Sequence, residues 1–552
     1  MHYAIVFVLL LSFVFGLGLL ARRLNIPYPI LFVIGGLIIG FIPNLPPIKL
    51  DPDFIFFIFL PPLLYIQAFF TSWRDFRREL RAISLLAIGL VLATTVTVAF
   101  VSHWLIPDFP LAAGFALGAI ISPPDAIAAS AIARRLGLPR RVITIIEGES
   151  LVNDSTSLVI LKIALIAVGL GTGHFFDMFA SKIAAALAAI GMGTGHIIGN
   201  VWLPGYFFYV SVGGIAVGLA VGWMVNWLRY RIMEDGVQIV LTVSIMTPFV
   251  SYLAGELVHV SSVLAVVSTG LYLGWESPEV MTSTIRLQSR AVWEMIIYLL
   301  NGFIFVLIGL QLPGILRGLE QPWWPYPLLY AVVINFICII VRLGWMYPGA
   351  YLPRLIKRIR DSEIKPEPRE IFIVGWCGMR GMVSLAAALT ITTYPKPFPK
   401  GHLIQFIAFS VILTTLVFQG LTLPFFIRYL GVGDDGSAAR EELDARERMS
   451  EAALEKLAKH RREKKFPEPV LDNVEQIYRE RAINLHDDLA DQLGWSEHRQ
   501  HQLSLRRLRR NMIATQRRAL VDMRRSGLIG DDVLHKIEYE LDIDEARYKS
   551  LT

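Results

Sequence analysis

The chain has 552 residues, of which 54% are hydrophobic and only 18% charged; its net charge is +6 and its mean hydropathy +0.53. Apolar runs of about 20 residues recur from Tyr3 to about Leu430, the pattern of a polytopic helical membrane protein. Its two cysteines, Cys338 and Cys377, supply neither a disulfide framework nor zinc spacing, no G-x-x-x-x-G-K-[ST] loop is present to serve a P-loop ATPase, and arginines facing a cytoplasmic surface account for the positive charge without nucleic acid.

Thirteen transmembrane segments are predicted: 3–21, 27–42, 54–72, 82–105, 111–133, 142–169, 206–228, 237–256, 260–275, 291–313, 325–348, 371–394 and 402–430. The first lacks a basic n-region and a cleavage site, so it reads as a retained helix. Loops after the odd-numbered segments are basic, from Arg22 and Arg23, through Arg134, Arg135, Arg140 and Arg141, then Arg229 and Arg231, to the Lys/Arg cluster between Arg354 and Arg369. The opposite loops hold only Lys49, Lys182, Arg317, Lys396 and Lys400. The positive-inside rule then places the amino terminus outside and the carboxyl terminus in the cytoplasm. A fourteenth span at 174–200 would spoil this alternation, so that stretch is expected to be an external amphipathic or re-entrant excursion.

An odd count makes segments 1–6 and 8–13 two inverted six-helix repeats flanking segment 7, an arrangement that places broken helices at the membrane midplane. Segment 5 pairs with segment 12, and both are interrupted: Ser-Pro-Pro-Asp (122–125) in one and Gly-Trp-Cys-Gly-Met-Arg-Gly (375–381) in the other. After residue 430, a Gly- and Asp-rich linker (431–436) leads into 437–552, a charged cytoplasmic segment with helical spacing. A solvated helical tail is its simpler reading; a regulatory or membrane-surface role for the basic run Arg506 to Arg525 is the sharper one.

Segment 6 carries the chemistry. An acid at bilayer depth is costly and marks a functional site by default, and Asp154 lies there with Glu147, Glu149 and Lys162 close by in sequence. Ser150 and Asp154 share a helix face and offer hard oxygen ligands for a metal cation such as Na⁺. Alternatively, Asp154 pairs with Lys162 or an arginine and only holds helices together. Asp125 either joins freed carbonyls such as that of Pro123 around the cation or caps the helix that begins at Ala126; both roles stay open. Arg380 needs a buried partner, with Glu149 and Glu147 the candidates, and reads as scaffold. Gln67 offers an amide oxygen to a cavity or a helix–helix hydrogen bond.

The motifs Phe-Leu-Pro-Pro-Leu-Leu-Tyr (59–65), Ser-Pro-Pro-Asp-Ala (122–126), Glu-Gly-Glu-Ser-Leu-Val-Asn-Asp (147–154) and Gly-Met-Arg-Gly (378–381) resemble those of the monovalent cation:proton antiporter family, in its NhaP/NHE-like branch. The resemblance implies a thirteen-helix inverted-repeat homodimer with a six-helix core domain and a dimerisation domain. It implies ion binding at Asp154 with Ser150 one turn earlier and Asn153 beside it in the transport site, a Glu149–Arg380 ion pair, and one-for-one electroneutral exchange signalled by Asn153. It implies monovalent cations, protons and lipid as partners, and no cofactor. Two departures stand out: Ile66 and Gln67 occupy a neighbourhood where many relatives have an acid, and Pro124-Asp125-Ala126 replaces Thr-Asp-Pro. The expected mechanism is competition, with Asp154 binding either one proton or one cation. A passive channel, K⁺/H⁺ in place of Na⁺/H⁺ exchange, and a sensor acting through its tail are the rivals, and a bacterial inner membrane is the expected location.

Overall fold

Proline pairs at 61–62 and 123–124 and the glycine cluster at 375–381 coincide with three interruptions in the helices of this chain. The structure, a computed structural model, describes residues 2–24, 27–42, 52–168, 194–232, 236–319, 325–362, 365–393, 398–434, 436–463, 466–476 and 512–520, with a few isolated positions besides. It separates into two compact units, Met1–Asp434 and Asp435–Thr552. The first has helices and connecting turns but no strand among its described residues. Among the described residues, seven helical runs are long and apolar enough to cross a membrane, and shorter apolar helices accompany them.

One group of helices packs together: α1 (His2–Leu24), α2 (Tyr28–Gly40), α3 (Pro52–Ile58), α4 (Leu60–Phe70), α11 (Thr194–Ile232), α12 (Val237–Leu257), α13 (Ser262–Val280) and α14 (Ser283–Leu310). Small residues allow close approach, as in many membrane interfaces. A Cβ added at Gly36 would lie 2.2 Å from the Val306 carbonyl oxygen, and one at Gly218 would lie 2.2 Å from that of Ala265. Of the stretch 174–200, residues 194–200 begin the 39-residue helix α11, and the remainder lies outside the described residues. The same helix carries Arg229, assigned from sequence to a loop, in its last turns, where it is buried and donates to Tyr65 Oη at 3.2 Å.

The second group contains α7 (Val91–Leu105), α8 (Leu111–Ile121), α9 (Ala126–Arg135), α10 (Arg140–Ala167), α16 (Tyr326–Tyr351), α18 (Pro368–Trp376), α19 (Met382–Thr393), α20 (Gly401–Thr414) and α21 (Gly420–Leu430). Short helices α5 (Trp73–Arg78), α6 (Leu80–Ser84), α15 (Leu312–Gly318) and α17 (Lys357–Ser362) lie between the longer ones. A π-helical turn precedes α7 (Leu85–Leu90) and another joins α20 to α21 (Thr415–Gln419). Each frees backbone groups for other partners: Trp345 Nε1 donates to the Leu85 carbonyl at 3.2 Å. The breaks predicted in segments 5 and 12 fall between α8 and α9 and between α18 and α19.

The second unit contains α22 (Ser437–Arg462) and a short following helix, tied by Arg461, whose guanidinium faces Glu468, Asp472 and Glu475.

Gly218→Val should push α11 away from α13 and cost about 1–3 kcal/mol of stability. A thermal melt of the detergent-solubilised protein, expected to fall by several degrees, checks this; an unchanged melt would mean the two helices are not packed this closely.

Candidate functional site

The two breaks meet. The Asp125 backbone N–H donates to the Met379 carbonyl at 2.6 Å, so the unwound segments touch directly. Four helix ends therefore converge inside the membrane, where free carbonyls and N–H groups need partners and each end carries a partial charge.

Asp125 serves the two positive ends. Its carboxylate accepts from Ile127 N at 2.8 Å and so caps α9, while the Met382 N–H at the start of α19 also faces it. Gly381 makes this possible, because a Cβ there would lie 1.8 Å from Asp125 Oδ2. Two arginines serve the negative ends. Arg380 Nε donates to the Ile121 carbonyl, the last residue of α8, at 3.0 Å; its Nη1 donates to Gly378 O, and its backbone N–H reaches Thr415 Oγ1 at 3.0 Å. Arg342 donates to Gly375 O at 2.9 Å and Val374 O at 3.2 Å near the end of α18.

Arg342 also corrects the predicted ion pair. Glu149 is paired with Arg342, bidentately at 2.6 and 2.8 Å with both side chains buried, and not with Arg380. The cause is positional. Glu149 turns toward α16, and Gly378 leaves room for the Arg342 side chain, since a Cβ there would lie 2.4 Å from Arg342 Cδ. Glu147, the other candidate partner, is bound by the exposed Arg134 at 2.7 Å. An arginine inside the apolar run 325–348 was the sequence signal for Arg342, and the motif reading passed over it.

Around the crossing lies a small cavity of about 20 Å³, lined by Asp154, Ser150, Asp125, Pro123, Pro124, Gln67 and Ser384 among others. That volume suits one water or one small ion. Four predicted ligands, Asp154, Ser150, Asp125 and Pro123, thus come together. Ser150 Oγ accepts from Ala126 N at 3.2 Å, which ties α10 to the start of α9. Asn153 does not line the cavity. Its Nδ2 donates to the Pro124 carbonyl at 3.0 Å, and its Oδ1 is buried without a hydrogen-bond partner among the described residues. The residue therefore fixes the break from behind. Asp154 is only 6% exposed, yet no donor among the described residues binds its carboxylate. Lys162 lines a different cavity and forms no ion pair with it. Gln67 and Ser384 add an amide and a hydroxyl; nothing in the sequence marked Ser384.

The family model for the transmembrane sodium/hydrogen exchanger matches residues 9–429. The chain is 33% identical over 537 residues to the uncharacterized Na⁺/H⁺ exchanger Rv2287 of Mycobacterium tuberculosis (strain H37Rv), covering 96% of this chain and 93% of that protein. It is 30% identical to the uncharacterized Na⁺/H⁺ exchanger YjcE of Escherichia coli K12, covering 98% of each. It is 33% identical to a sodium, potassium, lithium and rubidium/H⁺ antiporter of Bacillus pumilus, over 72% of this chain and 57% of that one. In fold it is similar to the sodium proton antiporter MjNhaP1 of Methanocaldococcus jannaschii at pH 8, with TM-score 0.52 and 19% identity over 78% of this chain and 99% of that one.

Arg342→Met leaves Glu149 buried and alone and should cost about 3–5 kcal/mol. The double variant Arg342→Met/Glu149→Leu should recover much of that loss. Melting temperatures of the single and double variants, compared as a cycle, check it; a double variant no more stable than the single would show that the pair is not where the cost arises.

Proposed function

The chain belongs to the sodium/hydrogen exchanger family, and on that premise we propose that it exchanges one monovalent cation for one proton across the membrane, with both competing for Asp154. One observation carries the reading: of the two carboxylates lining the cavity, Asp125 is engaged by two helix N-termini, while Asp154 has no donor among the described residues. A single uncommitted negative charge is neutralised by one proton or one cation. The occupied site is nearly neutral and crosses the low-dielectric region, whereas a bare carboxylate crosses only at high cost. Obligatory exchange follows from competition, and a transported charge of zero per cycle makes it electroneutral. The cation's ligands in this reading are Asp154, Ser150, Asp125 and the Pro123 carbonyl, with Asn153 and Arg380 holding the crossing in shape.

The rest of the reading follows the same premise. Residues 1–430 form the transport domain, with thirteen spans in two inverted repeats, and 437–552 form a cytoplasmic helical tail with a regulatory role. The amino terminus lies outside, and two copies form a homodimer in a bacterial inner membrane, where exchange supports pH homeostasis. Gln67, in a neighbourhood where the family often has an acid, leaves a site of modest charge with few features that discriminate by ion size. The name of the Bacillus pumilus relative, which includes potassium and rubidium, supports extending the substrate class from Na⁺ and Li⁺ to K⁺.

The test is proton flux in proteoliposomes holding a pH-sensitive dye, with Na⁺, Li⁺ or K⁺ added outside, for wild type and Asp154→Asn. Voltage is clamped with valinomycin in the Na⁺ and Li⁺ runs. Cation-driven flux that ignores voltage and drops at least about 100-fold in Asp154→Asn is expected, in line with loss of a group that binds the transported ion. Flux that follows voltage would identify an electrogenic exchanger or a channel, and full activity in Asp154→Asn would remove this carboxylate from the mechanism.

A further inference from the structure

Two of the cavities between the two helix groups are both lined by α10. The deeper one holds Asp154. The second, of about 510 Å³, is lined on one side by Leu158 and Lys162 of α10 and Thr390 of α19, and on the other by Tyr252, Glu256 and Ser262 of α12 and α13. Residues 154, 158 and 162 recur every four positions and share one helix face. Lys162 is therefore about 12 Å from Asp154 along the helix, toward the end of α10 away from the basic loops. In the orientation proposed above, this cavity is the outer vestibule of the cation path. At its floor, Ser155 Oγ and Ser261 Oγ share a buried hydrogen bond of 2.7 Å, and Ser261 also caps α13 by accepting from Leu264 N.

A lysine at the mouth of a cation path repels the ion that must enter. Lys162 is exposed to the vestibule and has no ion-pair partner among the described residues. Across from it, Glu256 is exposed as well, with one carboxylate oxygen accepting from Ser262 Oγ at 2.7 Å. The charges are opposite, they belong to different helix groups, and both line the same cavity without forming an ion pair. We propose that Lys162 and Glu256 meet as an ion pair when the vestibule closes, and that this pair stabilises the state in which Asp154 is shut off from the outside. The proposal rests on the alternating-access reading above. Closing brings α10 and α19 toward α12 and α13, and breaks or shifts the Ser155–Ser261 contact. In the open state the two charges are apart, Glu256 attracts entering cations, and Lys162 is hydrated. In the closed state desolvation strengthens their attraction, and the lysine no longer opposes entry because entry is over.

The labelling arm of the test reads conformation and not transport, so the proposal remains testable even if Asp154 proves not to carry the ion. In proteoliposomes, Lys162→Cys/Glu256→Cys is treated with a short bifunctional methanethiosulfonate. Wild type, whose Cys338 and Cys377 are both buried, serves as control. Cross-linking that arrests cation-driven flux, with recovery under reductant, is expected; recovery also shows that the variant is folded. Separately, Leu158→Cys reports vestibule opening through its labelling rate with a membrane-impermeant thiol reagent. Adding Lys162→Gln or Glu256→Gln should speed labelling about threefold, and the swapped pair Lys162→Glu/Glu256→Lys should return it to the starting rate. Failure to cross-link while Leu158→Cys is readily labelled, or a swap no better than the two single changes combined, would overturn the proposal.

Discussion

A helix that stops inside a membrane leaves carbonyls and N–H groups where water cannot answer them, and the transport unit is organised around that constraint. Two helices stop there, so four ends need partners of the right sign. Asp125 takes both amino-terminal ends, and Arg380 and Arg342 take the carboxyl-terminal ends of α8 and α18. Each arginine is held in turn: Arg342 by Glu149, and Arg380 by its place in the break, with its backbone on Thr415 at the π-helical turn. Because the fixed charges are matched against helix ends or one another, Asp154 is the cavity carboxylate left without a donor among the described residues.

The glycines of the second break have a steric meaning that composition alone does not reveal. Gly381 faces the Asp125 carboxylate and Gly378 faces the Arg342 side chain, each at a distance that leaves no room for a Cβ. The heptad 375–381 is glycine-rich because two charged side chains from other helices press against it. Its looseness as a helix and its fit around those charges are the same property viewed from two sides.

Much of this was legible in the sequence, and the parts that were not share a cause. The all-helical membrane fold, the two interruptions and the acids of segment 6 were visible because each violates local rules for a membrane helix, and a violation can be seen in a single sequence. Pairings were not visible. Glu149 had several arginines at membrane depth to choose from, and nothing local to segment 6 ranks Arg342 above Arg380. Asn153 adjoins Asp154 in the motif, yet its amide holds the Pro124 carbonyl; two neighbouring residues on a helix point in different directions, and only the positions of the surrounding helices say which one faces the cavity. Arg229 was assigned to a loop because charge at the end of an apolar run ordinarily marks one, whereas α11 continues past it and buries it against Tyr65.

The pairing of Glu149 with Arg342 also imposes an order on biogenesis. The two residues are 193 positions apart in the chain. At roughly 5–20 residues per second, a ribosome needs on the order of 10–40 s to make the second after the first. During that interval α10 stands in or beside the bilayer with a carboxylate that has no arginine to meet, and the α8 break lacks Arg380 at its carbonyl end. The amino-terminal half is thus an incomplete electrostatic circuit and not a miniature of the finished domain. Its core settles only when α16 and the segment carrying Arg380 arrive from the insertion machinery, so assembly of the transport unit is a late event in synthesis, set by the last charges to emerge.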